Sequence, residues 1–204
     1  MRRPKNKGKK VYGVGINDAD CVTQRYEKID GKRVIAWKCP YYTAWRSMLK
    51  RCYSDKYHRA KPTYAGCSVC EEWLTLSKFK PWMEAQDWEG NDLDKDIISA
   101  GNKVYSPETC VFVSRQVNNL LVTKGAARGD FPLGVSSSRN KYRAQCVVRG
   151  LMTHLGTCDT PDEAAIVYNK FKADYIREVA LTQEPRVRDG LNRHADLYEK
   201  GMVK

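Results

Sequence analysis

The stretch that most restricts the fold is residues 140–180, where a period of two gives way to a period of three to four. "NKYRAQCVVRG" alternates strictly: Tyr142, Ala144, Cys146 and Val148 take one side, and Lys141, Arg143, Gln145, Val147 and Arg149 the other. That is the pattern of a strand with one face covered and one face in water. Gly150 marks a tight turn, and "LMTHLGT" returns with Leu151, Thr153 and Leu155 on one face. A helix then begins at a capping box of Thr160 and Glu163, with Pro161 at the first helical position. Ala164, Tyr168, Phe171, Tyr175 and Val179 form its apolar stripe. These elements predict a small antiparallel sheet lying on one amphipathic helix, with the sheet's other face basic and polar.

Charge is segregated along the chain. The 204 residues carry a formal net charge of +12. The first ten residues hold six Lys/Arg and no acid, residues 134–156 hold four and no acid, and residues 71–96 hold eight acids. A basic footprint of this kind points to a polyanion, because Lys and Arg neutralise phosphates and release counterions. A merely solvated sheet face would carry mixed charge. Here the outward set is Arg, Lys, Gln and His, side chains that reach phosphates and base edges, so the expected partner is double-stranded DNA.

No run of about 20 apolar residues suggests a membrane span, and "MRRPKNKGKK" has no apolar segment behind it. The expectation is a cytoplasmic protein; the sequence names no protein partner. The eight cysteines are then expected to be reduced. Only three histidines, His58, His154 and His194, are present, which argues against a histidine-rich metal site.

Upstream, residues 1–10 read as a basic arm. "YEKIDGKRVIAW" reads as a hairpin turning at Asp30-Gly31, a type I′ pair. "YYTAWRSMLKRCY" reads as a helix burying Tyr41, Trp45, Met48 and Cys52 and leaving Arg46, Lys50 and Arg51 for solvent or phosphate. "LSKFKPWMEAQ" reads as a second helix capped by Ser77, with Phe79, Trp82 and Met83 inward. "LDKDIISAGNKVYSPETCVFV" reads as two short strands around a loop, and "SRQVNNLLVTK" as a helix. The expected organisation is an arm and hairpin at 1–36, a domain at 37–124, a linker at 125–132, a DNA-binding domain at 133–181 and a tail at 182–204.

"GVSSSRNKYRAQCVVRGLMTHLGTCDTPDEAAIVYNKF" resembles an AP2/ERF-type DNA-binding domain. The likeness lies in Gly134-Val135, Lys141-Tyr142, Leu155-Gly156-Thr157 and the pattern Asp159-Thr160-x-x-Glu163-Ala164-Ala165-x-x-Tyr168, over roughly residues 131–180. The resemblance implies a three-stranded sheet in the major groove. Its reading positions fall on Ser136, Ser138, Arg139 or Asn140, Arg143, Gln145, Val147, Met152 and His154, with Lys141 and Arg149 in the same outward set. His154 stands where the family often has Trp, which implies a stacking or polar DNA contact; an exposed histidine without a role is the alternative.

The acidic stretch "NDLDKDI", residues 91–97, has two readings. It is either a solvated turn whose acids partner nearby Lys and Arg or a carboxylate site for a hard divalent cation. "WRSMLKRCY…YAGCSVCEEW…FKPWMEAQ…LDKDIISAGNKVYSPETCVFVSRQVNN" is similar to the HNH-endonuclease-like proteins common in bacteriophages, over roughly residues 40–121. An AP2-type domain joined to an HNH-like one is a recurrent pairing in phage homing-type nucleases. The resemblance implies a ββα site in which Asp94 is the first ligand of Mg²⁺ or Mn²⁺ and Asn118, with Asn119 beside it, the last. The general-base position falls on Lys95 and the middle Asn near Thr109, so the two residues that would activate water are absent. A lysine with an ordinary pKa of ~10.4 is a poor base at neutral pH; Asp96 is the substitute ligand or base. Cys67-x-x-Cys70, with Cys52 and Cys110, has the makings of a structural Zn²⁺ site, the alternative being buried free thiols.

The expected fold is therefore α+β: an HNH-like ββα-containing domain, then an AP2-like three-stranded antiparallel sheet packed on one helix. The expected function is DNA binding, with metal-dependent nicking or cleavage if the site works. The alternative is a DNA-binding regulator or inhibitor on a decayed nuclease scaffold, and an RNA binder comes third.

Overall fold

The structure is a computed structural model describing residues 10–19, 22–122 and 131–203. Residues 1–9 of the expected arm and most of the expected linker lie outside the described residues. The fold mixes helices and strands, as an α+β chain should. In order the elements are β1 (Gln24–Ile29), β2 (Lys32–Lys38), α1 (Pro40–Tyr53), α2 (Asp55–Ala60), β3 (Ser68–Val69), α3 (Leu76–Glu84), β4 (Asp92–Asp94), β5 (Val104–Tyr105), β6 (Val111–Val113), α4 (Arg115–Leu120), β7 (Val135–Ser138), β8 (Lys141–Val148), β9 (Leu151–Cys158), α5 (Pro161–Ala180) and α6 (Pro185–Glu199). They fall into two compact units. One holds the chain to Asp96 and Gly101–Phe112, and the other holds Ile97–Ala100 and the chain from Val113. The division thus falls before the 125–132 segment.

The first unit is built on aromatic packing. Trp45, Met48 and Leu49 of α1 meet Trp73, Phe79, Met83 and Tyr105 in one buried cluster. The Trp45 indole donates to the Trp73 carbonyl at 2.7 Å, which satisfies the buried N–H. The α1 face is the expected one, with Tyr41 half-buried at its margin. Arg51 departs from expectation. It is not left to solvent but donates to the Leu93 carbonyl at 3.1 Å, over the Tyr64 ring. The N-cap position of α3 is Thr75, not Ser77, and the Thr75 side chain makes no cap bond; the Ser77 amide and hydroxyl donate to Asp18. The segment expected as two strands around a loop forms three: β4 pairs with β6, and β5 pairs in parallel with β3. Strands of two or three residues are too short to show a period, so the sequence pattern could not count them.

In the first unit β1 and β2 form an antiparallel hairpin. Asp30 and Gly31 both have positive φ, 49° and 75°, as a type I′ turn demands.

The second unit carries a three-stranded antiparallel sheet in the order β7-β8-β9, with α5 across one face. Ala144 and Cys146 are buried beneath it, and Tyr142 and Val148 half-buried, as the alternation requires. The capping box of Thr160 and Glu163 is formed on both sides. The apolar stripe of α5 is broader than the sequence reading. Lys172, Ala173, Ile176 and Ala180 are buried as well, whereas Phe171 and Val179 are only half-buried. Lys172 lies near Cys146 of the sheet, and along α5 packs α6, which occupies part of the expected tail. Its Val187, Leu191, Ala195 and Tyr198 are buried, and Arg177 of α5 is held by Asp196 and Glu199. A Cβ at Gly190 would collide with the Ile97 carbonyl, so only glycine allows that approach.

Candidate nucleic-acid interface

Backbone register decides which side chains share the open face of the sheet. Val135 pairs with Ala144 and Ser136 with Arg143 across β7 and β8; Arg143 then faces Thr157 on β9. Ala144 points under the sheet, so Ser136, Arg143 and Thr157 form a row on its outer face. Ser138 and Lys141 flank this row. On the other side of it, Gln145 faces His154, and Val147 faces Met152. The outer face is thus polar and cationic at one end and apolar at the other, where Val147 and Met152 are 51% and 63% exposed.

A β-bulge sets this arrangement. The register shifts between Ala144 and Gln145, so Leu155 has no partner across β8. Strict alternation from His154 would turn Thr157 inward; the extra residue returns it to the outer face. Its hydroxyl lies 3.4 Å from the His154 ring. Gly156, inside a strand pattern, is the sequence signal for such a bulge. Leu151 also departs from expectation. It pairs with Val148 on the covered side, but at the strand tip it is 73% exposed and not buried.

The expected DNA-contacting residues divide by how their charge is held. Lys141 pairs with Asp159 and Arg149 with Glu178, at 2.5 and 3.4 Å, both pairs in solvent. The Lys141 ammonium is held above its usual pKa by its bond to Asp159. Arg139 and Asn140 make the β7–β8 turn, with Arg139 at a φ of 57°. Arg143 is exposed on the middle strand. The three strands themselves contain no Asp or Glu.

The residues expected to form a metal site are placed differently. Lys95 is 5% exposed. Its ammonium donates to the Asp96 carboxylate and, at 2.7 Å, to the Asn102 carbonyl. Asn102 returns a bond to the Lys95 carbonyl at 2.9 Å and another to the Val104 carbonyl at 2.7 Å. Asp94, at the end of β4, accepts from the Asp96 amide at 2.7 Å. The acidic stretch therefore closes on itself around a buried lysine, and Asn102 is the partner that sequence reasoning missed. Thr109 bonds the Val104 carbonyl at 2.7 Å and closes the β5–β6 loop. Asn118 lies half-buried in α4, in the second unit, with exposed Asn119 beside it, whereas Asp94 to Asp96 belong to the first.

Cys52, Cys67 and Cys110 are buried core residues, and Cys70 is half-buried. Burial, with Cys67 and Cys110 nearby, pushes the Cys52 thiol up to about 12; burial pushes Cys110 to about 12 as well and raises Cys70. Among the described residues, no three His, Cys, Asp or Glu side chains gather in one place that could hold a metal ion. No described helix is long and apolar enough to cross a membrane.

No protein-family model matches the chain, and no curated protein or solved structure does either.

Proposed function

We propose that this protein binds double-stranded DNA through the outer face of the β7–β9 sheet. The observation that carries the reading is the face itself: Ser136, Ser138, Lys141, Arg143, Gln145, His154 and Thr157 on three strands without a carboxylate, in a chain of net charge +12. Arg143 and Gln145 occupy the middle strand, where a sheet laid in a major groove approaches the bases most closely. Arg reads guanine and Gln adenine through paired hydrogen bonds, and the Val147–Met152 pair suits a thymine methyl. Lys141, Arg149, Arg139 and Asn140 at the strand ends suit phosphates, which position the protein without selecting sequence.

In this reading the acidic stretch is scaffold. A divalent cation needs several carboxylate or carbonyl oxygens turned toward one point. Here the Asp96 carboxylate is engaged by a buried ammonium and an Asp94 oxygen by a backbone amide. Lys95 is itself a donor in two bonds, which does not suit a general base. These contacts favour a DNA-binding protein on a nuclease-like scaffold over a working HNH nuclease.

One experiment addresses both parts. Duplex DNA is titrated with the protein and with Arg143→Ala/Gln145→Ala, in Mg²⁺ or Mn²⁺, on a labelled oligonucleotide and on supercoiled plasmid, with Asp94→Ala and EDTA as controls on the plasmid. The expected result is binding that the double substitution weakens at least tenfold, with the plasmid intact. Unchanged affinity would remove the sheet face from the reading. Nicking that needs both the metal and Asp94 would make the acidic stretch an active site.

A further inference from the structure

The β1–β2 hairpin has no part in the sheet interface, yet its construction is unusual. Only Gln24 and Val34 of its two strands are even partly buried. A two-stranded hairpin that packs on nothing is marginal in water, so a ribbon rich in exposed aromatic and β-branched residues calls for a partner.

Register separates its two faces. Tyr26 pairs with Ile35 and Lys28 with Arg33, and Gln24 pairs with Lys38 beyond the bulge next to Arg25. One face therefore carries Gln24, Tyr26, Lys28, Arg33, Ile35 and Lys38. It has three cations and no carboxylate. The other carries Arg25, Glu27, Ile29, Lys32, Val34 and Trp37, three of them apolar and three charged, and its two cations share the face with the acid Glu27. On the cationic face the Arg33 guanidinium lies 3.8 Å from the centre of the Tyr26 ring, and the Tyr26 hydroxyl donates to Gln24 at 2.8 Å. Arginine is thus held in place before any ligand arrives, which lowers the entropy cost of binding.

We infer that the hairpin is a second DNA-contacting element, a two-stranded ribbon that lays its Gln24–Tyr26–Lys28–Arg33–Lys38 face against a duplex. Paired strands lie about 4.8 Å apart, and a major groove about 12 Å wide admits such a ribbon with its side chains. Charge complementarity selects the phosphate backbone: three cations without an acid on the same face suit a polyanion. The inference rests on the reading that this protein binds DNA. It goes beyond that reading because the hairpin belongs to the other unit of the chain, so the protein would hold DNA by one element from each unit.

The Cys39 amide donates to the Thr23 carbonyl at 2.9 Å, so the hairpin's ends meet and the ribbon can be removed without stretching the chain. The test compares four full-length proteins in duplex titrations over a series of salt concentrations. They are the unaltered chain, a variant with residues 24–38 replaced by Gly-Gly, the substitution Lys28→Gln/Arg33→Gln/Lys38→Gln, and Ile29→Ser as a control on the opposite face. The deletion and the triple substitution are expected to weaken binding, with the slope of log K against log salt falling by about 0.9 for each phosphate no longer neutralised. Ile29→Ser should bind like the unaltered chain. Unaltered affinity and slope in the triple variant would overturn the inference while leaving the sheet reading intact, as would a loss equalled by Ile29→Ser. Loss in the triple variant together with unchanged binding by Arg143→Ala/Gln145→Ala would do the reverse. Failure of the unaltered chain to bind duplex would overturn both.

Discussion

Two lysine–aspartate pairs show how differently the two units hold charge. Lys95–Asp96 and Lys141–Asp159 have the same N–O separation, 2.5 Å, but the Lys95 side chain is 6% exposed and that of Lys141 55%. The first pair closes a loop inside the acid-rich stretch. The second lies at the edge of a sheet face that has no acid of its own. A buried ammonium must keep every bond it makes, because water cannot replace them; an exposed one can exchange its carboxylate for a phosphate at little cost. Under the proposed function the difference makes the acidic stretch part of the architecture and the basic face the one open to a ligand.

That contrast stands only if the sheet is a rigid platform, and Gly134 offers the most severe way to break it. Its φ is +71°, and a Cβ there would fall within the Tyr168 ring on α5. Gly134→Ala adds overpacking to left-handed strain, and the expected loss is about 3 kcal/mol. Chemical unfolding should show that loss, and duplex binding should fall with it. A variant that unfolds like the unaltered chain would mean that β7 and α5 do not need their close approach.

A smaller effect is expected at Lys95. Lys95→Met removes the donor to Asp96 and leaves the Asn102 carbonyl without the ammonium, a loss of about 1–3 kcal/mol. The urea midpoint should fall while duplex affinity stays unchanged, since the residue serves the loop and not the ligand. An unmoved midpoint would return Lys95 to a chemical role and weaken the contrast with Lys141.

The sequence made some of this legible and hid the rest for physical reasons. The β8 strand and the start of α5 were plain, because a period of two and a capping box are local signals, and so was the Asp30-Gly31 turn. The bulge at Leu155 was missed because one inserted residue reverses the face of every later position in the strand. Helix α6 left a signal that was passed over: Val187, Leu191, Ala195 and Tyr198 recur at steps of three and four behind Pro185 at the first helical position, but the charged residues between them let 182–204 read as a tail, and the wider buried face of α5 at Ala173, Ile176 and Ala180 was missed with it. The state of Lys95 was hidden most completely. A lysine between two aspartates reads as solvated, and only the fold brings Asn102 back to enclose it.

The smallest effect on stability belongs to Lys141, and it is the sharpest test of the contrast. Its partner Asp159 is 77% exposed, so Lys141→Ala exposes nothing that water cannot solvate. The unfolding midpoint should stay where it is. If the lysine instead meets a phosphate when DNA is bound, the slope of log K against log salt should fall by about 0.9, the share of a single phosphate. The Asp159→Asn variant separates the two roles: it frees the ammonium without removing it, so binding should hold or strengthen. A Lys141→Ala protein with a lower midpoint and an unchanged salt slope would make this pair structural, like Lys95–Asp96, and would move the phosphate contacts to Arg139 and Arg143.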